Sequence, residues 1–195
     1  MKLRILTLLS IFIFSCNQKK ECCKKDEASN HITALSDESI YNLDTDWKKQ
    51  DGTMMKLTDL KGKTVVAAMV FTHCESACPR IVADIQRIEK ESDNKSDIQY
   101  VLISMDPERD TPERFKEFAA ERQLGSNWIM LSSSQEATDE IANVLGVKIK
   151  KLSDGGFDHS NTIYVIDKNG NIVFAQEGLE QEPSATIKKI AELNK

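Results

Sequence analysis

The sequence lacks any excess of basic residues. Over 195 positions, 26 Lys and Arg stand against 31 Asp and Glu, a net charge of −5 at pH 7. A chain with no cationic surplus has little net attraction for a phosphate backbone, which argues against nucleic acid as a partner. Cysteine is present five times, at 16, 22, 23, 74 and 78. Spacing this close does not describe a small scaffold stapled by disulfides. There is no internal repeat, and no low-complexity tract beyond one charged segment near the N-terminus. The long apolar run at the very start is too short to span a membrane comfortably as a permanent helix. What remains is ordinary globular usage, 40% hydrophobic and 29% charged, with room for one core and a tail.

That first run, MKLRILTLLSIFIFSC, sets Lys2 and Arg4 ahead of an apolar stretch and ends in Cys16, the pattern of a secretory signal over residues 1–15. Its last four residues, IFSC, resemble the bacterial lipobox. Cleavage before Cys16 would leave a diacylglyceryl group on its sulfur, and two acyl chains suffice for stable anchoring. Losing residues 1–15 removes two basic and no acidic residues, which takes the net charge from −5 to −7. The expected location is therefore the bacterial cell envelope, lipid-anchored to a membrane with the domain outside the cytoplasm. Residues 17–38 carry charge without apolar periodicity, so 16–38 reads as a lipidated cysteine and flexible tether, and 39–195 as one domain. Cys22 and Cys23 fall in the tether, where an auxiliary metal or thiol-exchange role competes with an incidental one.

From Ser39 onward the pattern alternates. YNLDTDW and MMKLTDL flank the turn signal QDGT as a hairpin. TVVAAMVF (64–71) is a continuous apolar run, the mark of a strand buried on both faces. ACPRIVADIQRIEKES follows with Ile81, Ile85 and Ile88 at helical spacing and Pro79 in the first turn, where a missing N–H costs nothing. IQYVLIS is a second strand, and Thr111 with Pro112 opens a helix running through Gln123. NWIML is a strand, and SSQEATDEIANVLG a helix with capping-box spacing from Ser133 to Glu136 and Gly146 as its stop. VKIKKL, TIYVID and NIVFAQE are strands, the last two paired across DKNG, and Pro183 begins a closing helix. This order predicts an α/β fold with a thioredoxin-like layout, a central mixed sheet flanked by helices and an N-terminal β-hairpin.

The chemistry concentrates in FTHCESACP. Cys74 and Cys78, four apart where a strand gives way to a helix, share a helical face with Cβ atoms about 5–6 Å apart. That separation suits a shared metal ion, or a disulfide after modest adjustment. A helix N-terminus favours thiolate, which is both nucleophile and soft-metal ligand. Packing of two small hydrophobes is the bland alternative.

Three separated segments carry a resemblance: FTHCESACP, LISMDPERDTPERFKEF and DHSNTIYVIDKNGNIV. Together they resemble the Sco (SenC-type) family of membrane-anchored copper proteins, over a stretch from about Ile40 to the C-terminus. The resemblance implies copper, as Cu(I) or Cu(II), held by Cys74, Cys78 and His159. It also implies delivery to the CuA site of cytochrome c oxidase, with partners in the oxidase's copper-bearing subunit or another copper chaperone. Two thiolates and an imidazole are a soft, three-coordinate set that Cu(I) accepts, whereas zinc usually takes a fourth ligand.

Neighbouring residues divide between roles. Asp158 is a candidate to orient His159 through its second ring nitrogen. His73 is read as a strand-end residue facing away from the thiols, Met105 as packing, and Asp106 and Asp110 as caps on the turn into the Thr111 helix. Glu75 departs from the family pattern, in which proline is frequent at that position; it opposes a Cys74 thiolate yet attracts a cation. The competing function is a thiol-disulfide oxidoreductase that cycles Cys74 and Cys78 against partner cysteines. A peroxidase is weaker, because no Arg or Thr is clearly placed to polarise a peroxide at Cys74. Thioredoxin-type reductases carry a proline before the strand facing their cysteines; Ser160-Asn161-Thr162 holds none, with a histidine just upstream.

Overall fold

The computed structural model describes residues 38–93 and 95–195. The expected signal peptide, the lipidation site at Cys16, the tether, and Cys22 and Cys23 lie outside the described residues. Among those described, no helix is long and apolar enough to cross a membrane.

The hairpin predicted around QDGT forms as β1 (Asp46–Lys49) and β2 (Met54–Lys56), paired antiparallel. β3 (Thr64–Val70) is buried at every position, as a continuous apolar run requires. α1 (Ala77–Glu91) turns Ile81, Val82, Ile85 and Ile88 inward. β4 (Ile98–Ser104) and β5 (Trp128–Ser132) run parallel to β3. Between them stands α2 (Pro112–Glu121), whose N-cap Thr111 accepts the Arg114 N–H and which buries Phe115 and Phe118.

α3 (Gln135–Leu145) ends at Gly146 in the left-handed region, where a Cβ would be strained. Its cap is Ser134, which accepts the Ala137 N–H, one residue beyond the expected Ser133. The Ser133 hydroxyl donates instead to the Asp46 carbonyl, so its bonding capacity is spent on holding β1. VKIKKL supplies β6 (Ile149–Lys151), and an unforeseen strand, β7 (Phe157–His159), pairs with it. β8 (Thr162–Ile166), β9 (Ile172–Glu177) and α4 (Ser184–Leu193) complete the chain.

The main sheet has seven strands in the order β2-β1-β5-β4-β3-β8-β9. Its centre is parallel, and β1, β8 and β9 join antiparallel, which makes it the mixed sheet of the thioredoxin-like layout. α1 packs on β3, β8 and α4. Tyr100 and Trp128 stack within the core at 5.1 Å. The hairpin β6–β7 is a separate two-stranded sheet. β3 is therefore the strand about which the site is arranged: its C-terminal end leads to the cysteines, and its partner β8 follows the histidine.

Candidate metal centre

Beyond Val70 the chain stays buried through Phe71 and Thr72 and then surfaces. Cys74 N–H closes a turn onto the Phe71 carbonyl at 3.2 Å. The helix starts only at Ala77, so Cys74 sits in the turn before it and Cys78 in its first turn. The two cysteines do not share a helical face, contrary to expectation. The sulfur of Cys74 acts instead as a cap. Ser76 at the N-cap position makes no side-chain cap bond, and Cys74 Sγ accepts the Cys78 N–H at 3.4 Å. A sulfur there occupies the place where orphan N–H groups and the helix dipole favour negative charge.

The thiols are consequently unequal. Burial alone would raise the Cys74 pKa, but N–H groups of Cys78, Ser76 and Ala77 outweigh it and hold the thiol below its ordinary value. Cys78 is fully buried. Burial pushes its thiol far up, against a lone opposing N–H from Phe71, with nearby Cys74 and Asp110 adding to the rise. The thiol that ionises readily is the half-exposed one ahead of the helix; the first-turn thiol stays protonated.

His159 closes β7 opposite Ile149 of β6. Its Nδ1 lies 3.0 Å from the Ser160 carbonyl oxygen. A carbonyl only accepts, so Nδ1 carries the proton and, in the neutral ring, Nε2 presents its lone pair. Nε2 faces Cys78 Sγ at 3.8 Å, across 81 residues of sequence. A soft ion bound at about 2.3 Å to sulfur and about 2.0 Å to nitrogen would subtend roughly 120° across such a gap. Asp158 does not orient the ring: successive strand residues point to opposite faces, Asp158 is exposed, and the Ser160 carbonyl takes the bond.

As they stand, no three His, Cys, Asp or Glu side chains among the described residues are close enough together to hold one ion. Cys78 and His159 form a pair, and the Cys74 sulfur is turned onto the helix. Cys74 opens on a cleft shared with Thr72, His73, Glu75, Pro79 and Arg114, while His159 borders a different cavity with Ser160, Asn161 and Glu177. Buried Cys78 makes a hydrogen-bond contact with both partners.

Sequence reasoning missed the group beneath the cysteine loop. The Asp110 carboxylate, 1% exposed, accepts the Thr72 N–H at 3.1 Å, the Thr72 hydroxyl at 2.6 Å and the Ser104 hydroxyl at 2.6 Å. It ties the end of β4 to the loop rather than capping its own turn. Arg114 reinforces the loop from α2 by donating to the Thr72 hydroxyl and carbonyl. Asp106 does serve its turn, its backbone carbonyl receiving the N–H groups of Arg109 and Asp110. His73 is exposed, its Nδ1 4.0 Å from Asp110 Oδ1. Met105 is buried, in keeping with packing.

Residues 38–195 match the SCO1/SenC family model. The SCO1 protein homolog of Bacillus subtilis (strain 168) is 31% identical over 142 residues, covering 70% of this chain and 74% of that protein. Among solved structures, a SCO1/SenC family lipoprotein from Bacillus anthracis is 30% identical with a TM-score of 0.71, covering 77% of this chain and 92% of that one. BsSco, a member of the Sco family of cytochrome c oxidase assembly proteins in which a disulfide switch was identified, is 29% identical with a TM-score of 0.67, covering 76% and 90%. Arabidopsis thaliana ScoI with copper bound is 26% identical with a TM-score of 0.65, covering 77% and 95%.

Proposed function

The chain belongs to the SCO1/SenC family, and from that premise we propose that it is a membrane-anchored copper-binding protein that delivers copper to the CuA site of cytochrome c oxidase. Copper is its cargo, held by Cys74, Cys78 and His159. The observation that carries the reading is the approach of His159 Nε2 to Cys78 Sγ at 3.8 Å, with Nδ1 engaged on a carbonyl so that the free lone pair faces the sulfur. Two sulfurs and one imidazole nitrogen match the softness of Cu(I). The copper-bound Arabidopsis relative and the oxidase-assembly relative support the same assignment.

Each side chain has its own part. Cys74, accessible and ionised most easily, makes first contact with incoming copper. Cys78 joins by giving up its proton, since a metal-bound sulfur is a thiolate. Joint ligation requires Cys74 Sγ to leave the Cys78 N–H and rotate toward the Cys78–His159 pair, a side-chain motion that leaves the fold in place. Anchoring is assigned to Cys16, on the IFSC pattern and the lipoprotein relative.

An anaerobic Cu(I) competition titration against a chelator tests the ligand set in wild type, Cys74→Ser and His159→Ala. We expect one ion per chain, weaker binding in both variants, and the Cys74 and Cys78 thiols both still titratable in His159→Ala. Equal affinity in His159→Ala overturns the assignment. The thiol-disulfide oxidoreductase reading draws support from one observation, an accessible low-pKa thiol beside a buried partner. Reduction of a generic disulfide that is undiminished by His159→Ala would favour it.

A further inference from the structure

We propose that Arg109 is a positioning residue, a clasp that holds the β6–β7 hairpin, and His159 with it, against the cysteine loop before metal arrives. The inference rests on the copper-ligand reading above for its consequence, and on geometry alone for the clasp. The hairpin has two strands of three residues each and no ladder to the main sheet. An isolated two-stranded hairpin is marginal in water, so something outside it must fix where His159 stands.

Two contacts do so. On one side Phe157 meets Phe71 edge-on at 4.9 Å. On the other, the Arg109 guanidinium donates from Nη2 to the Gly155 carbonyl in the hairpin's turn and from Nε to the Asp106 carboxylate. Asp106 is itself 2% exposed, which gives the guanidinium a fixed, buried anchor instead of a mobile surface partner. Gly155 holds φ +82° in that turn, a backbone conformation that side chains rarely adopt. The ion pair of Lys151 with Glu108 spans 3.8 Å between exposed groups and adds little.

The adjacent residue Asp110 grips Thr72 in the cysteine loop. Two consecutive residues of one turn thus reach the two halves of the site, Asp110 the sulfur side and Arg109 the imidazole side. Without the arginine the hairpin keeps the apolar packing of Ile149 and Phe157, the Phe71–His159 ring contact and the weak Lys151–Glu108 pair, but loses its polar tie to the Asp106 turn, and Nε2 is held less firmly over Cys78.

The test uses the full chain. In metal-free, reduced Arg109→Ala, backbone amides of residues 149–159 should exchange at least about tenfold faster than in wild type, the scale of losing a charge-assisted hydrogen bond. Amides of β3 and β4 should be unchanged. The Cu(I) affinity of Arg109→Ala should fall by about tenfold in the wild-type background, yet fall no further in the His159→Ala background, because a clasp acts only through the ligand it places. Unchanged hairpin exchange overturns the clasp, as does an affinity loss of equal size in both backgrounds. If His159→Ala alone leaves copper affinity intact, the ligand reading fails, and the exchange measurement still decides the clasp.

Discussion

Replacing Asp110 by alanine removes three hydrogen bonds from a buried site. The carboxylate is 1% exposed and accepts one backbone N–H and two hydroxyls, at 3.1, 2.6 and 2.6 Å. Hydrogen bonds to a charged group are worth about 1.5–3 kcal/mol each, but these three share one acceptor and do not add. The hydroxyl oxygens of Thr72 and Ser104 also keep their donors, Arg114 and the Asp106 N–H. What is lost outright is the acceptor for the Thr72 N–H and for two hydroxyl protons, a cost of about 3 kcal/mol. Urea unfolding of the reduced, metal-free protein at pH 7 should show that loss as a lower midpoint with an unchanged slope. Asp110→Asn keeps an oxygen toward Thr72 and turns its amide to Ser104, so its loss should be less than about 1 kcal/mol. Burial outweighs the three donors and leaves the Asp110 carboxyl above its ordinary value. A carboxyl with a folded pKa above its unfolded value of about 3.9 contributes stability that is full below that value and is lost as pH rises through the folded pKa. The asparagine variant, which does not titrate, should therefore gain on wild type as pH climbs from about 4 through the folded pKa. An alanine variant as stable as wild type, or an asparagine variant as damaged as the alanine one, would refute the reasoning.

Two further outcomes follow from the same geometry. Iodoacetamide with peptide mapping should label Cys74 before Cys78, with a midpoint below that of an ordinary cysteine, and should leave buried Cys78 unlabelled until denaturant is added; equal labelling rates at the two would contradict the inequality of the thiols. Gly170→Ala forces a side chain at φ +87° into Ser39 and the Tyr41 ring, 2.6 Å from Tyr41 Cδ2. It should cost about 3 kcal/mol in thermal unfolding, and a melting temperature near wild type would show that the Ser39–Tyr41 segment yields.

Much of this architecture was readable because one physical pattern dominated each segment. TVVAAMVF lies at the sheet's centre, where both faces are covered, so every residue could be apolar and no other element explains the run. Thr111-Pro112 and Gly146 mark helix ends through backbone chemistry that no tertiary contact needed to supply. The errors fall where a side chain had two local uses. Ser133 and Ser134 both offer a capping oxygen, and the choice was made by a carbonyl 87 residues away in β1. β7 was invisible because Phe157–His159 is too short for a period of two to show. It is a strand only because Ile149–Lys151 folds back onto it.

The same distinction separates the legible part of the site from the hidden part. A thiol four residues from another at a strand end advertises itself, since few residues share its chemistry, and the family resemblance added a histidine that spacing alone would not have selected. Which thiol ionises was not legible, because it depends on where the helix begins. The expectation placed both sulfurs on the first turn; a start at Ala77 instead leaves Cys74 facing the free N–H groups and carries Cys78 into the core. Asp158 failed for a related reason, as adjacency in sequence becomes opposition once the segment is a strand. Asp110 sits 38 residues from Thr72 and looks like any aspartate ahead of a helix until β3 and β4 pair in parallel and bring their C-terminal ends together. The ligating atoms are thus announced by residue type, whereas the carboxylate and guanidinium that hold them in register are selected by topology, and the DPERD turn acquires its place in the site only when the sheet closes.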